Sequence, residues 1–194
     1  MNVRKTLFSF LVFVASVIAL ECAAAEEETC AYDPWYVGAS GGLLLPGNGN
    51  SLRRAADVSL RAGRYLSDTF AVEASAAATP RAAADGAGRV SLVSVGAGAL
   101  LHMTHFTFYD RLFGSERFDP FMTFGAHATF ASGHVFADRS HRSAFGPYAG
   151  FGAFYHLTDS WSMRAEARAA LCCDSPCGML YGVSVGLQYS FGAE

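Results

Sequence analysis

Eight times between residues 35 and 191 the chain alternates bulky apolar side chains with small or polar ones at every second position. The last instance, YGVSVGLQYSF (181–191), sets Tyr181, Val183, Val185, Leu187, Tyr189 and Phe191 against Gly182, Ser184, Gly186, Gln188 and Ser190. A period of two puts the two sets on opposite faces of a β-strand. After residue 20 no run of about 18 apolar residues exists from which a membrane-crossing helix could be built. The chain is nevertheless 52% hydrophobic and only 16% charged, against roughly 25% charged for soluble domains. Its apolar content is therefore carried by short strands.

The other seven alternating stretches are 35–45, 56–66, 70–78, about 90–102, about 119–130, about 147–157 and 161–171. Ser67-Asp68-Thr69 and Thr158-Asp159-Ser160 predict tight turns after the second and sixth strands. Connections after strands 1, 3, 5 and 7 are longer, and only the one after strand 4, about 104–117, breaks the rule. Short turns at one end, longer loops at the other and an even strand number describe an eight-stranded antiparallel up-and-down transmembrane β-barrel.

The direction of the bulky face follows from the charges. Arg61, Glu73, Arg164, Glu166 and Arg168 all share the parity of the small, polar set. A charge facing lipid at mid-depth costs about 2–4 kcal/mol, so this set is expected to line the lumen as a mutually compensating network. Glu73 is expected to meet Arg61 on the neighbouring strand, and Glu166 to sit between Arg164 and Arg168. A soluble lipocalin-like barrel would instead turn the Gly/Ser face to water, where it makes a poor solvated surface. Trp35, Phe70, Tyr155, Trp161, Tyr189 and Phe191 fall at the end bearing the short turns, as an interfacial aromatic girdle does.

Residues 1–25 have the pattern of a cleaved signal peptide, with basic Arg4 and Lys5, an apolar core and a small-residue site at Ala23–Ala25. Cys22 follows Glu21, which is not a lipoprotein signature. Residues 26–34 are expected to form a periplasmic segment, 35–191 the barrel and 192–194 a tail. Without residues 1–25 the chain has 12 basic residues, all Arg, against 16 acids, a formal charge of −4. A dispersed acidic balance argues against nucleic acid as a partner.

WYVGASGG, GPYAGFGAFYHLTDSWSMRAEARAAL and YGVSVGLQYSF, in this order and spacing, resemble the eight-stranded outer-membrane β-barrel family that includes the OmpA transmembrane domain and opacity-type surface proteins. The resemblance covers residues 30–191. It implies location in the cell outer membrane, contact with outer-membrane lipid, and insertion by the outer-membrane assembly machinery through a last-strand signal. Gly186, Tyr189 and Phe191 match that signal, whereas Val185 occupies its preceding polar position and three residues follow Phe191. Larger OmpA-type proteins append a peptidoglycan-binding domain that this chain is expected to lack.

With a periplasmic N-terminus, Cys30 lies on the inner side, and Cys172, Cys173 and Cys177 lie in the last outer loop. About 30 Å of hydrocarbon separates the groups, too far for a disulfide. Cys177 is therefore expected to pair with Cys172 or Cys173. Ser140 and His141 with Asp138 are the residues a lipid A modifying enzyme reading would use, but adjacency in sequence is not triad geometry. His102 with His105, and His134 with His141, lack a third ligand at metal spacing, while His127 and His156 share the inward parity. We expect no enzyme activity and no cofactor. Five charges in so narrow a lumen are expected to plug it rather than leave a small-solute pore. The expected role is structural or surface-interactive, for a monomer whose loops at about 46–55, 79–89, 131–143 and 172–178 face an extracellular ligand or host surface.

Overall fold

A computed structural model describes residues 35–47, 52–84, 88–103, 117–132, 143–171 and 178–191 of the 194-residue chain. They form β1 (Trp35–Pro46), β2 (Ala55–Tyr65), β3 (Phe70–Ala84), β4 (Gly88–His102), β5 (Phe118–Ala131), β6 (Ser143–His156), β7 (Trp161–Leu171) and β8 (Met179–Phe191). Each strand pairs antiparallel with the next, and β1 pairs with β8 from Trp35 opposite Phe191 to Pro46 opposite Leu180, closing the barrel.

Alternation in sequence becomes alternation in exposure. Val37, Leu60, Val95, Phe151, Val185 and Leu187 stand on the outer wall, Phe151 at 68% exposure. Contiguous exposed apolar surface on this scale is not a soluble protein's exterior, so the lipocalin-like alternative is set aside. At the short-turn end Trp35, Tyr155, Trp161 and Phe191 are exposed, and Tyr189 packs against both Trp161 and Phe191. Phe70 is only 6% exposed and does not join this belt.

The two short turns use the same chemistry. In LSDTF the Phe70 N–H donates to Ser67 Oγ at 3.2 Å, and in LTDSW the Trp161 N–H donates to Thr158 Oγ1 at 3.0 Å. A hydroxyl three residues before the strand thus occupies a donor that the ladder has not yet reached.

At the opposite end the strands run further than their alternation indicates. The segment expected as an outer loop at 79–89 instead continues β3 to Ala84 and starts β4 at Gly88. A β-bulge between Thr79 and Ala82 shifts the register, and Arg81 within it adopts φ 61°. One extra residue inverts the parity, so that odd residues face inward up to Thr79 and Ala82 faces inward after it. That inversion hid the strand from a period-two reading. β6 and β8 likewise begin at Ser143 and Met179, ahead of the expected 147 and 181.

The inner wall is layered. Towards the long-loop end lies an apolar cluster of Leu52, Ala82, Val90, Leu92, Ala131, Ala144 and Leu180. Towards the short-turn end lies a second, formed by Tyr36, Ala71, Leu100, Phe121 and Phe154. Polar and charged groups lie between them. Glycine makes room for some of the large inward side chains but is not equally tight everywhere: a Cβ on Gly63 would run into the Tyr36 ring, whereas one on Gly182 meets nothing within 4 Å.

Gly63→Ala should destabilise the barrel by about 1–3 kcal/mol through overpacking, while Gly182→Ala should be neutral or stabilising by about 0.5–1 kcal/mol. Urea unfolding of the detergent-folded protein, followed by heat-modifiable gel migration, measures both; equal effects would contradict the packing described.

Candidate functional site: the charge cluster in the lumen

The five inward charges come from three strands, Arg61 on β2, Glu73 on β3, and Arg164, Glu166 and Arg168 on β7. All five meet in one cluster. Arg164 Nη1 contacts Glu73 Oε2 and Arg61 Nη1 contacts Glu166 Oε2, both tightly and both across the lumen. Arg164 Nη2 and Arg168 Nη2 reach Glu166 at 2.8 Å each. Glu73 lies 4.0 Å from Arg61 and from Arg168. The nearer partner of Arg61 is thus Glu166, on a strand 105 residues away, and not its expected neighbour Glu73. Parity shows which side chains share the lumen, but the stagger of the closed barrel decides which of them meet.

Neutral groups complete the cluster. The Tyr36 hydroxyl donates to Glu73 at 3.1 Å, and Arg61 Nη2 reaches Ser40 and Ser184 at 3.3 and 3.4 Å. Arg164 lies over the rings of Phe121 and Phe154, 4.7 and 5.3 Å from their centroids, and Arg168 lies 4.2 Å from that of Tyr148. These aromatics escaped the sequence reading, although their inward parity was legible: Phe121 precedes outward Met122, and Phe154 follows outward Ala153. The ladder neighbours of the two outer members on β7 are small. Glu166 is flanked in the ladder by Gly152 and Ser184, and Arg168 by Gly150 and Gly182.

A second polar group lies at the short-turn end. Asp119 Oδ2 pairs with His102 Nδ1 at 2.6 Å and lies 4.0 Å from His156 Nε2, while His156 Nδ1 meets Ser162 Oγ at 2.9 Å. His102 therefore has a carboxylate partner 17 residues away, which the sequence reading missed because Asp119 stands at the edge of its strand. His127 faces inward near Tyr148. Among the described residues no group of three or more His, Cys, Asp or Glu could hold a metal ion. His105, His134, Asp138, Ser140, His141 and the cysteines Cys30, Cys172, Cys173 and Cys177 lie outside the described residues.

A closed eight-stranded antiparallel barrel with an apolar outer wall and an ionic interior is the architecture of an outer-membrane protein. The chain belongs to the outer membrane protein β-barrel domain family, whose model matches residues 10–191, and it is accordingly a protein of the outer membrane. Among solved structures it is similar to neisserial surface protein A (NspA), with a TM-score of 0.61 and 16% identity over 81% of this chain and 97% of that one. It is also similar to OprG of Pseudomonas aeruginosa (TM-score 0.59, 11% identity, 85% and 100% covered) and to Ail, the attachment invasion locus protein of Yersinia pestis (0.53, 14%, 84% and 100%). No curated protein sequence matches it.

Removing one member of a buried ion pair leaves its partner's charge uncompensated, at a cost of about 3–5 kcal/mol. Arg164 touches both carboxylates and its side chain is 4% exposed, whereas that of Arg168 is 22% exposed. Arg164→Ala should therefore lower stability by about 3–5 kcal/mol and Arg168→Ala by clearly less. Denaturant midpoints of the two refolded variants test that order, and a reversed order would refute the assignment of Arg164 as the central cation.

Proposed function

We propose that this barrel is a closed scaffold with a structural or surface-interaction role, held as a monomer in outer-membrane lipid and presenting its extracellular loops for recognition. The observation that carries this reading is the lumen itself. Charged side chains from β2, β3 and β7 bridge it at mid-height, and apolar clusters fill it on either side. Side chains that interlock across an eight-stranded interior occupy the path a solute would need. The names of two similar barrels, a surface protein and an attachment invasion locus protein, agree with a surface role. At their low identity, that support extends to the scaffold alone.

In this reading the protein is not an enzyme and needs no cofactor. Gly186, Tyr189 and Phe191 serve as the signal read by the assembly machinery; Phe191 and Tyr189 stand opposite Trp35 and Val37 in the closing ladder. Cys177 staples the last loop through Cys172 or Cys173.

Reconstituted in planar bilayers, the native protein should give no single-channel current, and exchanging its extracellular loops should abolish surface binding without changing heat-modifiable folding. Steady single-channel steps from the native protein would replace the scaffold reading with the pore. Release of acyl chains from lipid A would replace it with an enzyme.

A further inference from the structure

We propose that the extracellular rim of β2–β4 is a binding site for the phosphorylated headgroups of outer-leaflet glycolipid. Four exposed arginines gather there: Arg53 and Arg54 just before β2, Arg81 on the bulge of β3, and Arg89 at the start of β4. The ladder brings them together. The Arg53 N–H donates to the Ala83 carbonyl at 2.8 Å, and Ala83 pairs with Arg89, so Arg53, at the entry to β2, stands abreast of Ala83 on β3 and Arg89 on β4. Arg81 lies two residues below Ala83, held at φ 61°, a conformation uncommon for a residue with a side chain.

Among the described residues at this end of the barrel, the other charged side chains are Asp57 and Arg168, and both turn into the lumen. Every described charge on the outer wall here is therefore an arginine. Asp85, in the connection between β3 and β4, still leaves arginine in excess. Like charges on neighbouring strands, as Arg81 and Arg89 are, repel one another unless anions lie between them. The guanidinium group pairs with phosphate in a bidentate fashion.

Position selects the source of the phosphate. On β4 the outward row runs Arg89, Ser91, Val93, Val95, and Val93 and Val95 are about half exposed, within the apolar wall. Arg89 is four residues beyond Val93, about 13 Å along the strand and about 10 Å higher at a barrel tilt near 40°. Arg81 and Arg89 thus stand on the outer face just beyond the apolar wall, at the level of a neighbouring lipid's headgroup. The proposal rests on the barrel's place in the outer membrane, and not on the recognition role given to its loops.

The test uses the full chain in phosphatidylcholine vesicles doped with bisphosphorylated lipid A or with the same lipid A after phosphatase treatment, counting lipid A retained per barrel after mild detergent extraction. The native protein should retain the phosphorylated form at least about tenfold better, as expected for several arginines acting at one surface, and added salt should reduce that excess. Arg54→Gln/Arg81→Gln/Arg89→Gln should lose the preference, and Arg64→Gln, at the opposite rim beside Trp35, should keep it. Equal retention of the two lipids by the native protein would overturn the proposal, and this arm decides the matter if the triple variant does not fold. A folded triple variant that keeps the preference would also overturn it. So would binding of soluble heparin in preference to phosphorylated lipid A, which would give the patch to a sulfated glycan.

Discussion

The ladder between β1 and β8 leaves the sheet without an edge, and the rest of the molecule depends on that closure. In hydrocarbon an unpaired backbone N–H or C=O has no water to turn to and costs several kcal/mol. An open eight-stranded sheet would carry a full row of such groups on each side. Closure across Trp35–Phe191 to Pro46–Leu180 satisfies them, and it also fixes how narrow the interior must be. Eight strands enclose a lumen that side chains alone can fill, so the choice of inward residues becomes a packing problem solved with very few large groups.

Glycine solves part of it. Gly63 makes room for the Tyr36 ring, Gly98 and Gly125 for Tyr148, and Gly152 for Phe121. Arg164 uses the faces of Phe121 and Phe154 as its floor. Burying five charges this way is costly in desolvation, which the interior offsets by giving each carboxylate at least two cationic neighbours. Such a cluster stabilises less by its net energy than by what its loss would expose, since any strand slip that breaks one contact leaves other charges stranded.

Strand number, topology and the facing of nearly every residue were legible in the sequence because they rest on a local period. β7 spans 161–171 as the alternation indicates. Three things were not legible, each for a physical reason. The bulge at Thr79–Ala82 reverses parity within a single strand, so TPRAAADGAGR reads as a loop. The pairing of Arg61 with Glu166 depends on the stagger of a closed cylinder, which no local pattern encodes. The two apolar layers inside the lumen share the parity of the polar residues, and only height along the axis separates Leu44 or Leu180 from Ser40 or Ser184. The His102–Asp119 pair escaped for a related reason, as it joins the last residue of β4 to the second of β5 across a connection the sequence does not orient.

The inner and outer walls are stratified in opposite senses. At mid-height the wall is apolar outside and ionic inside; at the long-loop rim of β2–β4 it is charged outside, with Arg81 and Arg89, and apolar inside, with Ala82 and Val90. Sliding a strand along the barrel axis by one repeat of its own pattern would keep every side chain on its proper side and every backbone group paired. It would nonetheless carry arginine into hydrocarbon on one surface and misplace a carboxylate on the other. The depth at which β3 sits is therefore encoded twice, by Arg81 facing lipid and by Glu73 facing the lumen, and the bulge is the point where the strand changes from one code to the other.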